Sequence, residues 1–158
     1  MEVKLDGNDL EILRIIQNNS KKSAKQVAKE IGSLTSTVYA KIRRMEQLGI
    51  IKGYHAVLDG KKLDREVTNF LQISYSHRPR GDKIVSQREI AKKLAKFPQI
   101  QAVYIMAGEW DLLIKVKAKN LDEMGKFILD QVREVAGVDK VVSNIVYEPI
   151  KESLELEI

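Results

Sequence analysis

Up to Leu48 the apolar residues recur at helical spacing, and from Val67 to Ser76 they alternate with polar ones as in a half-buried strand. A chain that is helical throughout its first part and mixes strands with helices after it reads as two parts, each with its own core. In the first part, Leu10, Ile12, Leu13 and Ile16 follow Asp6, with Asp9 three residues on. Asp6 is placed to accept hydrogen bonds from the exposed amides of a first helical turn. Ser23 with Gln26 forms a capping box ahead of Ala24, Val27, Ala28 and Ile31, and Gly32 supplies the left-handed residue on which a short helix turns. A third helix is predicted from about Thr35 to Leu48, with Val38, Ile42, Met45 and Leu48 on one face and Gly49 ending it. The run from Ile50 to Asp59, two short β-like stretches around Gly53, predicts a hairpin.

Gly60 to Glu66 is polar and reads as a linker. After it, Val67 to Ser76 predicts a strand, and Ser86 with Glu89 opens a helix carrying Ile90, Leu94 and Phe97, closed by Pro98. Strands are predicted at Ile100 to Ala107 and Trp110 to Ala118, joined by a turn at Gly108-Glu109. Asn120 with Glu123 caps a further helix, and Val138 to Tyr147 is the last strand. The order βαββαβ is the ferredoxin-like arrangement.

Composition excludes several classes of chemistry. There is no Cys, so disulfides, thiolate zinc sites, iron–sulfur clusters and thiol catalysis are all absent. The two His, His55 and His77, are far apart, which argues against a metal site. No stretch approaches the roughly 20 apolar residues of a membrane span, and the start, Met1 to Lys4, has no apolar signal core. A cytoplasmic protein is expected. No nucleophile–base pair, phosphate-binding loop or metal spacing is present, so no catalytic residue is assigned and no enzyme is expected.

The net charge of +5 is concentrated. Between Ser20 and Lys62 ten Lys and Arg stand against three acids, Glu30, Glu46 and Asp59. From Glu148 onward the balance reverses, with Glu148, Glu152, Glu155 and Glu157 against Lys151. A basic block beside a near-neutral remainder points to a polyanion partner. The two helices joined by a tight turn have the helix-turn-helix pattern. With Ala24, Ala28, Ile31, Val38 and Ile42 packed between them, Ser36, Tyr39, Ala40, Arg43 and Gln47 face outward. Arg43 and Gln47 suit base edges, while Thr35, Ser36 and Thr37 suit phosphates or bases at a helix N-terminus. Ala40 permits close approach. Lys25, Lys41 and Arg44 flank this face as phosphate contacts, and Lys52 and His55 lie on the expected wing. The expected partner is double-stranded DNA.

Three runs carry a resemblance: Leu5-Asp6-Gly7-Asn8-Asp9-Leu10-Glu11-Ile12-Leu13, Val27 to Gly32, and Thr37 to Tyr54. They resemble the Lrp/AsnC family of transcription regulators, as does Gly108-Glu109-Trp110-Asp111 in the second part. The sequence departs from that family's pattern at Leu34 and Thr35, where Ser and Pro are usual. The resemblance and the pattern together predict an α+β chain. An N-terminal winged helix-turn-helix (1–59) and a linker (60–66) precede a ferredoxin-like βαββαβ ligand-sensing and oligomerisation domain (67–158). The resemblance implies a homodimer that assembles to a tetramer, octamer or larger ring. It also implies no cofactor, but an amino-acid effector bound between dimers. Position by position it implicates Tyr104, Met106, Ala107, Gly108, Glu109, Trp110 and Asp111, with Ser143 on the last strand. Gly108 would let a ligand reach free backbone amides, and Asp111 would either hold an ammonium group or cap the turn. Two other readings remain open from the residues: a non-specific architectural DNA-binding protein without effector, and an enzyme like the siroheme decarboxylases. The second needs basic and His residues around a tetrapyrrole pocket, and the second domain offers His77 alone.

Overall fold

The computed structural model describes residues 4–77 and 85–158. The loop residues Arg78, Pro79 and Arg80, considered for a DNA or subunit contact, lie outside the described residues. The chain forms two compact units. One runs to Val57 and also takes in Lys151–Ile158; the other is Leu58–Ile150.

The first unit holds α1 (Gly7–Asn18), α2 (Ala24–Glu30) and α3 (Thr35–Gln47). Two of the three start on a capping box: Asp6 with Asp9 for α1 and Ser23 with Gln26 for α2. Each box satisfies two amides that a helix end leaves without partners. Leu34 occupies the cap position of α3 and offers no side-chain acceptor. The core is Ile12, Ile16, Val27, Ala28, Val38 and Met45, with Ala24, Ile31 and Ile42 packed against it. After α3, Gly49 takes φ +70°, and the amides of Ile50 and Ile51 both donate to the Met45 carbonyl.

The expected hairpin does not form. Residues 52–59 are irregular and carry no strand pairing. Ile50 and Ile51 pack against the first core, but Val57 is fully exposed and Leu58 largely so, so the second run has no core face to lie on. A two-stranded hairpin without such a face is marginal in water. Instead the Tyr54 hydroxyl donates to Glu46 Oε1 at 2.9 Å, tying the segment back to α3. Lys151–Ile158, expected with the sheet domain, lies along α1. The Gln17 side-chain amide bonds the Leu156 carbonyl at 2.8 Å and accepts from its N–H at 3.1 Å, while Arg14 Nε donates to the Ile158 carbonyl.

The second unit holds β1 (Val67–Tyr75), α4 (Gln87–Leu94), β2 (Ile100–Ile105), β3 (Leu112–Ala118), α5 (Leu121–Phe127) and β4 (Val138–Ile145). Its four-stranded sheet has the order β2-β3-β1-β4, and every pairing is antiparallel. This is the expected ferredoxin-like topology. Leu71 and Ile73 of β1 and Leu112, Ile114 and Val116 of β3 are buried under the helices with Ile90, Leu94, Met124 and Phe127. Phe97 and Phe127 meet edge to face at 5.6 Å. The opposite sheet face pairs Phe70 with Lys115 and Asn144, and Leu113 with Gln72 and Tyr104. No helix of the described residues is long and apolar enough to cross a membrane.

Candidate functional site

Two places in the fold gather the side chains singled out above. The first is the outer face of α3. Burying Val38 and Met45 turns Thr35, Ser36, Thr37, Tyr39, Ala40, Arg43, Arg44 and Gln47 outward, and all of them are exposed. Lys25 on α2 and Lys52 beyond α3 are exposed as well. Because Leu34 supplies no acceptor, the first-turn amides of α3 remain available to an anion, where the helix dipole favours negative charge. Ser36, Thr37, Ala40, Lys41 and Arg44 line a shallow groove of about 430 Å³ beside that end.

Lys41 departs from expectation. Its ammonium bonds Asp6 Oδ2 at 2.5 Å and Asp9 Oδ1 at 2.9 Å, and its side chain is only 18% exposed. Asp9 is buried, accepts from the Asp6 N–H through Oδ2, and has Arg44 Nη1 at 3.6 Å from the same oxygen. Arg44 Nη2 also donates to the Lys4 carbonyl. The hydrogen bond from Lys41, followed by that from the Asp9 amide, holds the Asp6 carboxyl below the usual range; Asp6 and Asp9 in turn raise the Lys41 ammonium above its own. A side chain expected at the flank as a phosphate contact is here held to the start of α1. Asp9, the buried partner of Lys41, is a residue the sequence did not flag. Its place three residues after a cap suggested capping alone, and the buried face it also occupies was the unused signal.

The second place is the turn between β2 and β3. Gly108 has φ +142°, a conformation that favours glycine, and Ala107, Gly108 and Glu109 are exposed. Met106 and Trp110 are half-buried and Tyr104 is exposed on β2. Asp111 ties the turn to its neighbours. Its Oδ2 accepts from the Tyr75 N–H at 3.0 Å, its own N–H donates to the Ile73 carbonyl, and its carbonyl accepts from the Met106 N–H and from Gln87 Nε2 at 2.8 Å. Gln87 is a further residue the sequence did not flag. Ser143 is not brought to this turn: it sits on β4, with β1 between it and β3. There it accepts from Asn69 Nδ2. Asn69 is buried, and its Oδ1 has no partner among the described residues.

Two family models divide the chain along these lines. One described as winged helix-turn-helix DNA-binding matches residues 5–52, and one described as the Lrp/AsnC ligand binding domain matches residues 69–156. The chain belongs to the Lrp/AsnC family. Among relatives of this Lrp/AsnC chain, an uncharacterized HTH-type transcriptional regulator of Pyrococcus horikoshii is 34% identical over 150 residues, 95% of this chain and 97% of the relative. An AsnC family transcriptional regulator of Agrobacterium tumefaciens superposes with a TM-score of 0.85 at 28% identity, covering 97% of both chains. A transcriptional regulator of Neisseria meningitidis, crystallised with L-methionine, superposes with a TM-score of 0.87 at 24% identity, covering 98% of this chain and 97% of that one. The protein is thus a transcriptional regulator with a DNA-binding helix-turn-helix and a ligand-binding domain. Its α3 lies within the helix-turn-helix match, and its Gly108–Asp111 turn lies within the ligand-binding match.

Proposed function

We propose that this Lrp/AsnC protein is a sequence-specific regulator that works as an oligomer, without catalysis, in the cytoplasm, and that an amino acid sets its assembly or its affinity for DNA. The observation that carries the reading is the outward face of α3, where Arg43, Gln47, Ser36 and Tyr39 stand clear of the core around the small Ala40. Arg43 and Gln47 read base edges in the major groove; Thr35, Ser36 and Thr37 at the uncapped helix start, with Lys25, Arg44 and Lys52, hold phosphates. A dimer places two such helices on half-sites one helical turn apart. The exposed sheet face with Phe70, Leu113, Tyr104 and Val142 is the surface a second copy covers. Tetramers, octamers or larger rings follow from stacking such dimers.

The effector reading rests on the exposed amides of the Gly108 turn, which suit a carboxylate, and on the ligand-binding description of this domain. The methionine bound by the Neisseria regulator, a more distant relative, supports an amino acid as its chemical class. Tyr104, Met106 and Trp110 supply apolar walls, and Ala107 and Glu109 the rim. Asp111 shapes the turn through the Tyr75 amide, and its carboxylate keeps further acceptor capacity for a ligand ammonium. Ser143 stands apart from the turn within one chain, so its contribution comes from a neighbouring copy. Native mass spectrometry of the protein with an equimolar amino-acid mixture tests both parts. A retained amino acid with a shift in oligomer order supports the reading, and an unliganded monomer sinks it. Equal affinity for every duplex would favour the architectural alternative.

A further inference from the structure

Lys41 lies in the groove beside the recognition face, next to the exposed Ala40, yet its charge points back to α1. Both oxygens of the buried Asp9 are engaged, one by Lys41 and one by the Asp6 N–H with Arg44 near it. Asp6 is the solvent-facing half of the pair, with its side chain 62% exposed. It therefore places a negative charge at the rim of a surface that has to meet phosphates. A cation held this way adds little to sequence-independent attraction, because a Lys counts toward counterion release only when it neutralises a phosphate. Base contacts from Arg43 and Gln47 are untouched by it.

We propose that Asp6 and Asp9 are specificity-determining residues: they withhold Lys41 from the DNA backbone, so that less of the binding comes from phosphates of any sequence and more from base edges. This rests on the DNA-binding reading above. The pair also fixes α3 to α1 at its middle, so the helix that presents Arg43 and Gln47 keeps its orientation while Arg44 stays near the groove.

Asp6→Asn separates the charge from the cap. Asn caps helices as well as Asp, so α1 keeps its acceptor for the Asp9 amide while Lys41 loses one partner. Binding to a random-sequence duplex is measured by fluorescence anisotropy across a salt series for the full-length wild type, Asp6→Asn, and Asp6→Asn/Lys41→Gln. Thermal melting confirms that each is folded. Asp6→Asn is expected to bind random duplex several-fold more tightly, with the slope of log K against log salt steeper by about 0.9, the increment for one added phosphate contact. The double variant is expected to return to the wild-type slope. An unchanged slope in Asp6→Asn overturns the proposal, and so does a double variant that stays as steep as the single one, since the gain would then be lost repulsion rather than a released Lys41. Absence of duplex binding by the wild type is a different outcome and sinks the DNA-binding reading itself.

Discussion

Tyr54 shows how one side chain outside any regular element carries a measurable signature. Burial, with the Glu46 carboxylate as hydrogen-bond acceptor, pushes its phenol from the ordinary 10.0 up to about 12. A raised pKa in the folded chain means that folding favours the protonated phenol. The contact's contribution is therefore complete below pH 10 and fades as pH rises toward 12. Ultraviolet titration should show one tyrosine ionising late, and Tyr54→Phe should remove that late step. Asp6 gives the opposite sign at low pH. Its carboxyl is held below the ordinary 3.8, so its stabilising pair with Lys41 is present above that value and lost as pH falls further. Gly137 is a residue-scale constraint of another kind. It has φ +103°, and a Cβ there would stand 2.5 Å from Ile90 Cδ1. Gly137→Ala is expected to destabilise the sheet domain by about 1–3 kcal/mol from overpacking, before backbone strain is added. Denaturant melts that separate the two units would locate that loss.

At the scale of elements, three helices begin on short-range signals that a sequence displays openly: Asp6 with Asp9, Ser23 with Gln26, Ser86 with Glu89. The strands followed from alternation, and the sheet order from the sequence of elements. What was not legible joins distant residues. Lys41 meets Asp6 across 35 positions, and Gln17 meets Leu156 across 139, and no local pattern announces either. The hairpin at Ile50 to Asp59 was over-read for a related reason: β-like composition signals a strand, but the core face that would hold it depends on the rest of the fold. The turn between β2 and β3 was legible through Gly108, whereas the hydrogen bond from the Tyr75 amide to Asp111 joins residues that the sequence does not bring together. The start of α3 offers a test at this scale. Leu34 is 72% exposed, has extended backbone suited to a cap, and makes no cap bond. Leu34→Ser is expected to stabilise the first unit by about 1 kcal/mol, seen as a higher melting temperature. It should also weaken DNA binding modestly, since the new cap competes with phosphate for the same amides.

For the whole molecule, the two units divide the labour of a regulator. All of the basic block but Lys61 and Lys62 lies in the first, around a helix whose polar face is turned out. The second presents a sheet with one face closed by helices and one carrying Phe70, Leu113 and Tyr104, the face we propose a further copy covers; burial and the neighbouring Lys117 hold the Lys115 ammonium on it below its usual range. On the proposed oligomer, Val142→Asp on that open face is expected to lower the assembly order in analytical ultracentrifugation while leaving the monomer folded. It should also cost DNA affinity, because single half-site contacts lose the gain of linked binding. The measurement that tests the central claim most directly is anisotropy of wild type, Arg43→Ala and Lys25→Ala on a selected operator and its shuffled sequence across salt. The account predicts that Arg43→Ala loses about 1–3 kcal/mol of discrimination between the two duplexes, while Lys25→Ala weakens both alike and lowers the salt slope by about one. Equal affinity of the wild type for operator and shuffled duplex, or discrimination that survives loss of Arg43, would contradict it.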